Sequence, residues 1–352
     1  MFHKFLAIFS LLALCAGKAQ AEGQSPCLPE LADERLELRC LATALKTGNA
    51  TAPLLFRTDY LLERQGYTDR FGLVDPIPNP TFDVSVFPVV QYSSNINGGN
   101  PPGSLILGSL VFAGDPEFEQ KSGMLYGMGA SVESRYRLGD GRYIELNVVG
   151  TYARSPKNDI DVGSSLVSLC SKNHIKNWWY VDFCASTANI DRDISSQTSD
   201  ILGVAVSKVV STEAENHHSF SVRYRKILAE NYDQQQMTFG IESILNGKTF
   251  TSLYLNVGEP VVDQMVSRWA IGGSVGRLVN GKRVKIIAAY EESDGGALLG
   301  IEQKDETSTI GLSYEISEQV SVFVGYQNTA SSIDYFNVSE PTIGIELASL
   351  RF

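Results

Sequence analysis

The sequence predicts an all-β protein: a transmembrane antiparallel β-barrel of about 14 strands, preceded by a short helical segment. Three observations predict it. An export signal is followed by no apolar run long enough to span a membrane as a helix. Hydrophobicity then alternates with a period of two through most of the chain, and tight turns alternate with longer links between the alternating segments.

Residues 1–21 carry a basic start (His3, Lys4), an apolar run from Phe5 to Ala16, and small residues at Ala19 and Ala21 flanking Gln20. This is the layout of a secretory signal peptide, with cleavage expected after Ala21. A lipidated Cys15 would need a small residue before it, and Leu14 is too large. A helix crossing a bilayer needs about 20 consecutive apolar residues, and none follows the signal. An exported chain without one is either soluble or a barrel.

The formal charge is −11, and it stays acidic without Lys4 and Lys18. That balance excludes a nucleic-acid partner, whose phosphates need clustered Lys and Arg. The 31 Gly, 15 Tyr and 16 Phe fit a barrel but equally fit a soluble sandwich, so the strand pattern has to separate them.

Four segments show the alternation most cleanly. Ile310, Leu312, Tyr314 and Ile316 alternate with Thr309, Gly311, Ser313 and Glu315, and Phe220, Val222 and Tyr224 alternate with Ser219, Ser221, Arg223 and Arg225. Ile144, Leu146 and Val148, and then Val320, Val322 and Val324, repeat the pattern. One apolar and one polar face on strand after strand is what a barrel in lipid requires. The strands are expected at 82–93, 123–138, 141–154, 162–170, 174–188, 200–211, 216–229, 235–246, 248–257, 265–278, 282–293, 306–317, 319–330 and 341–352.

The connections sort themselves. Asp140-Gly141, Asn246-Gly247 and Asn280-Gly281 are type I′ hairpin dipeptides, and Ser317-Glu318 is equally tight. Between them lie the longer links 189–199, 230–234, 258–264, 294–305 and 331–340. Short periplasmic turns and long external loops are the barrel arrangement. Two stretches resist. Residues 94–122 must form one long external link although Leu105 to Phe112 reads as a strand, so it either extends the wall or folds inward as a constriction. Residues 155–173 must hold a short extra strand near Val162 to Cys170, with a turn at 171–173. Phe352 closes the last strand as a candidate membrane-insertion signal. Leu350 and Ala348 share its phase while Ile343, Ile345 and Leu347 do not, which predicts a bulge near Ala348.

Residues 22–80 differ in texture and are expected to be a periplasmic helical segment or plug, with the barrel occupying 81–352. Leu31, Leu38, Leu41 and Leu45 share one helical face within Pro29 to Thr47, and Gly48 ends that run. A second helical piece is expected from Asp59 to Gln65. Cys27, Cys40, Cys170 and Cys184 suggest two disulfides in an oxidising compartment, with three pairings open. Cys27 with Cys40 conflicts with a continuous helix over both, which would hold them ~20 Å apart. Cys170 with Cys184 conflicts with a tight turn at 171–173. None of them has the C-x₂-C spacing of a metal site.

No catalytic constellation emerges, so an enzyme is not expected. His174, His217 and His218 lack a neighbouring nucleophile and acid in the pattern, and no cofactor or metal is indicated. The better candidates are lumen-lining charges. Arg135 with Arg137, and Arg223 with Arg225, lie two apart and share the polar face, since Arg facing lipid is costly. They either line a pore or pair with Glu133, Glu145, Glu242 and Glu315 and fill the interior. Acidic residues of the external links, among them Asp159, Asp191, Asp294 and Glu340, form a solvated surface or bind divalent cations among the lipopolysaccharide.

Gln91-Tyr92-Ser93-Ser94-Asn95-Ile96-Asn97-Gly98-Gly99 resembles the barrel opening of the surface lipoprotein assembly modifier family. There a long loop follows, and then a hairpin like Ser134 to Arg154. The resemblance implies a barrel that moves lipoproteins or secreted proteins to the surface, although that family carries helical repeats where about sixty residues stand here. The expected location is the outer membrane. The expected partners are its lipid and lipopolysaccharide, the barrel-assembly machinery and an exported client. The function expected is transport or export, with a passive porin-like channel or a purely structural barrel as the alternative.

Overall fold

The computed structural model describes Cys27 and residues 33–48, 51–67, 80–107, 110–212, 216–246, 248–298, 300–317, 320–347 and 350–351. The signal peptide, its cleavage site and Phe352 lie outside the described residues. Two helices, α1 (Glu34–Lys46) and α2 (Ala52–Arg64), precede the first strand, β1 (Thr81–Ser93). A small hairpin, β2 (Ser104–Leu107) and β3 (Leu110–Ala113), follows it.

The remaining wall is β4 (Gly123–Gly139), β5 (Arg142–Ser155), β6 (Ile160–Lys176), β7 (Trp179–Asp191), β8 (Ser196–Ser211) and β9 (His217–Ala229). It continues through β10 (Asp233–Leu245), β11 (Thr249–Gly258), β12 (Val266–Val279) and β13 (Lys282–Leu298). Then come β14 (Ile301–Ser317), β15 (Val320–Ser331) and β16 (Val338–Leu347), with a two-residue continuation, β17 (Leu350–Arg351). Each wall strand pairs antiparallel with its neighbour, and the last returns to β1. Among the described residues fourteen wall strands therefore form a closed barrel.

Closure leaves no strand without a neighbour on either side, which is the condition for strands in lipid. The alternation read from the sequence divides outside from inside. Met124, Tyr126 and Met128 of β4 are exposed on the outer face, as are Phe220 and Val222 of β9 and Ile310, Leu312 and Tyr314 of β14. Ser85 and Ser131 bond each other at 2.6 Å on the inner face, as do Ser252 and Ser274 at 2.8 Å. An apolar outer band around a polar lumen makes this an integral outer-membrane barrel.

The turn dipeptides take the positive φ their hairpins demand: 54° and 75° at Asp140 and Gly141, 51° and 76° at Asn280 and Gly281, and 48° at Asn246. One turn lies elsewhere than the sequence suggests. No turn occurs at 171–173; β6 runs on to Lys176 and reverses at Asn177-Trp178, with φ 50° and 65°. The short extra strand expected near Val162 to Cys170 is thus among the longest in the wall. The shift also removes the cysteine conflict, because Cys170 and Cys184 now face each other in the β6–β7 ladder and are bonded, with Cα atoms 4.2 Å apart.

Several external links are shorter than expected. β13 and β14 continue to Leu298 and Ile301, so most of 294–305 is strand, and β7 and β8 take up most of 189–199. The reason is pairing above the membrane, where neither face needs to be apolar and alternation fades. At the other end, Val89 pairs with Glu346 while Val86 pairs with Leu350. The register therefore shifts by one residue between these points, in keeping with a phase slip; Ala348 itself lies outside the described residues.

Candidate functional site

α1 and α2 occupy the mouth of the lumen on the side of the short turns. Asp33 caps α1 by accepting the Arg35 N–H at 2.6 Å, and the helix starts late enough for Cys27 to fold back onto Cys40. That resolves the second cysteine conflict. α2 begins after Thr51 with Pro53 in its first turn and ends before Gly66, whose φ of 76° and close approach to the Arg142 carbonyl leave no room for a Cβ. The Gly66 carbonyl accepts the Gly141 N–H of the β4–β5 turn, which fixes the end of the helix to the wall.

The apolar faces of the helices meet the wall in one core. Leu36, Leu41 and Leu61 are fully buried with Tyr180, Val209 and Ile244 of β7, β8 and β10. Each buried leucine contributes about 1.5–3 kcal/mol. Around this core, charges lock the unit in place. Arg35 makes two bonds to Asp182 of β7 at 2.8 and 2.9 Å and lies 4.1 Å above the Tyr180 ring. Arg39 donates to Ser211 of β8 at 2.7 Å, and Arg64 pairs with Glu34 and with Glu133 of β4.

Arg135 is the hub. It lies 2.8 Å from Glu34 and from Glu133, and 2.9 Å from Glu145, with its side chain only 8% exposed. Arg137 reaches Glu63 of α2 at 3.4 Å. Burial pushes the Glu34 carboxyl up, but Arg135 and Arg64 beside it outweigh that effect and hold it below its ordinary value.

Four of the eight lumen charges singled out in the sequence, Arg135, Arg137, Glu133 and Glu145, therefore form one cluster that clamps the helices. Arg223 and Arg225 do not join it. Arg223 is exposed on the lumen wall of β9, and Arg225 bonds Gln236 of β10 at 3.1 Å. Glu315 pairs with Arg283 at 2.9 Å rather than with either of them, and Glu242 stands beside Asp33 of the α1 cap. Sequence spacing identifies the lumen face but not the partners, because Arg64, Glu34 and Arg35 arrive from helices that have no register with the wall.

The external mouth is narrowed by the long link between β1 and β4. Its Asn-Ile-Asn-Gly-Gly stretch folds inward, whereas its strand-like run does neither of the two things expected of the link. Ile96 is buried against Leu125, Ala153 and Ile160 of the lumen face. Asn97, fully buried, donates to the Glu119 carbonyl at 2.8 Å and accepts the Lys121 N–H at 2.8 Å, and its own carbonyl accepts from Ile194 of the β7–β8 link. The hairpin β2–β3 accounts for the strand-like run in this link but pairs with no wall strand. The Asn-rich turn chemistry was the available signal for this loop. A cavity of about 310 Å³ opens beside it, lined by Arg192, Gln197, Thr198, Glu230, Asn231 and Tyr232.

His217 bonds Ser211 at 2.9 Å and His218 bonds Ser243 at 2.8 Å. Among the described residues neither imidazole bonds a carboxylate. Ser211 also accepts a bond from Arg39, so this pair joins the plug to the wall.

No protein-family model matches the chain, and no curated protein sequence does. Among solved structures, the chain is similar to OprB of Pseudomonas putida, with 7% identity over 84% of this chain and 96% of that one and a TM-score of 0.42. It is also similar to the outer membrane protein OprD of Pseudomonas aeruginosa, with 8% identity over 78% and 94% and a TM-score of 0.40. An anion-selective porin from Comamonas acidovorans matches with 10% identity over 78% and 99% and a TM-score of 0.39.

Proposed function

We propose that the protein is a passive channel for small hydrophilic solutes, with its periplasmic mouth narrowed by α1 and α2. The observation that carries this reading is the split among the lumen charges. One cluster is consumed in clamping the helices, whereas Arg223 stays exposed on the lumen wall, six residues along β9 from the sealed His217. The hydrogen bonds and ion pairs that hold the helices fall on β1, β4, β7, β8 and β10 and the β4–β5 turn. In this reading solute passes Arg223 and follows the arc β11 to β14, on which none of these bonds falls.

The translocator expected from the family resemblance would have to expel the helices to pass a polypeptide. That would strip Arg35 and Asp182 of each other and expose three fully buried leucines. This cost is what favours the passive channel. Single-channel recording of the refolded chain, with and without residues 22–80, tests it. A steady conductance in the full chain, raised when the segment is removed, is expected. A full chain that stays silent under all voltages would overturn the passive channel and return the client-dependent translocator to first place.

A further inference from the structure

Three observations meet where the last strand closes on the first. The first is pairing. β1 and β16 pair at Val89–Gln91 with Gly344–Glu346. Toward the external end, Tyr92 and Ser93 pair with Met124 and Gly123 of β4, and Val338–Ile343 pair with β15. Among the described residues these two stretches do not pair with each other. Pro341 stands opposite Ser94 at the register of the pairs below, just past the end of β1, and has no N–H to donate to either neighbour. Among the described residues the prolines within wall strands are Pro88 and Pro341, one on each strand of this seam. Proline is confined to edges and bulges in sheets, and here it marks an edge inside a closed wall.

The second observation is apolar paving on the lumen side of the same seam, where a barrel interior is ordinarily polar. Phe87 of β1 and Phe323 of β15 lie on the inner face with Val89. The Phe87 ring covers Gly129, where a Cβ would meet it at 2.3 Å, and the Phe323 ring covers Gly311 at 2.6 Å. Both rings thus lie flat along the wall, and Val89 continues to Leu125 and Ile96.

The third lies outside. The β2–β3 hairpin carries no charge from Ser104 to Ala113 and exposes Val111 and Phe112. It is tied beside the seam, because Tyr335 of the β15–β16 link donates to the Pro101 carbonyl at 2.6 Å. An uncharged exposed hairpin is unusual for a loop in water.

We propose that the external half of the β1–β16 seam is a lateral portal, through which an acyl chain of a membrane amphiphile passes between the lumen and the outer leaflet. The apolar floor inside, the unpaired seam and the outer apolar face of Ile343 form a continuous path. Opening in lipid costs each backbone group its partner, and Pro341 contributes no donor to β16. The portal is separate from the solute path and does not rest on it.

The test uses the full mature chain in vesicles of phosphatidylethanolamine and phosphatidylglycerol. A benzophenone is attached at Val89→Cys, and in a parallel sample at Ser252→Cys on the lumen face of β11, with the native disulfides left oxidised. After illumination, lipid adducts are read by intact mass. Val89 is expected to capture phospholipid and Ser252 none. Pro341→Thr, which returns the missing donor, is expected to lower the Val89 yield about fivefold, the population change worth one hydrogen bond. Equal yields at both sites, no adduct at Val89, or a yield unmoved by Pro341→Thr overturns the portal. If Pro341→Thr fails to show the heat-modified gel mobility of a folded barrel, Pro341→Ala takes its place, and the comparison of the two sites stands without either. Conductance in the same preparation reads the solute path, and Pro341→Thr should leave it unchanged.

Discussion

Replacing Arg35 by methionine tests what holds the helices in the barrel mouth. Its guanidinium makes two bonds to Asp182, and the two side chains are 9% and 12% exposed. Removing one partner of a buried pair costs about 3–5 kcal/mol, because the other charge is left in a poor solvent. Lys172 stands 3.7 Å from Asp182 and offsets part of that, so the lower end, about 3 kcal/mol, is expected. The wall ladders are untouched, so the loss falls on docking of α1 rather than on the barrel. At 1.4 kcal/mol per tenfold, the docked-to-free ratio should drop about a hundredfold. Two assays read it: open probability in single-channel records, and tryptic cleavage after Arg57, which pairs with Glu37 of α1, and after Arg64, which pairs with Glu133 of the wall. Both should rise while heat-modified gel mobility stays that of an intact barrel. Arg35→Met combined with Asp182→Leu should recover most of the docking, since an apolar pair of similar size replaces a buried ion pair at little cost. Unchanged cleavage and conductance in Arg35→Met, or a double variant as loose as the single one, would refute the assignment of docking to this pair.

Three further outcomes are expected. The Glu34 carboxyl is held below its ordinary value of 4.5, so its contribution to docking is complete above that pH and is lost as the pH falls through the lowered value. Acidification should therefore raise open probability, and Glu34→Gln should remove this step from the conductance–pH curve. Arg223→Glu reverses an exposed charge on the lumen wall and should shift the reversal potential in a salt gradient toward cations, without changing barrel stability by more than about 0.5 kcal/mol. Asn97→Ala removes two bonds to Glu119 and Lys121 from a fully buried side chain. It should cost about 2 kcal/mol of loop anchoring, visible as noisier conductance and as faster proteolysis of the external link in intact cells.

The barrel was legible because strands in lipid obey a local rule. Each residue of Ile310 to Ile316 declares its face by its own polarity, and the turn residues Asp140, Gly141 and Asn280 declare the reversals. Where lipid no longer imposes that rule, the reading lost its edges: at the tops of β13 and β14 above the membrane, and at the end of β6, where Trp178 adopts a positive φ that nothing in its residue type announces. The tension around both cysteine pairs marks the places where local pattern and tertiary contact disagree.

The polarity of the two faces, the turns and the lumen placement of Arg135, Arg137, Arg223 and Arg225 were thus determined by the sequence itself. Only the tertiary structure decided which of those charges are spent. Arg135 is sealed because α1 and α2 bring Glu34 and Arg64 to it from about seventy to a hundred residues away, and no periodicity encodes such a meeting. Arg223, of identical local pattern, stays exposed six residues along β9 from the sealed His217. A strand's own residues decide which way a side chain points, but what it meets in the lumen depends on how the chain closes and what it folds inside.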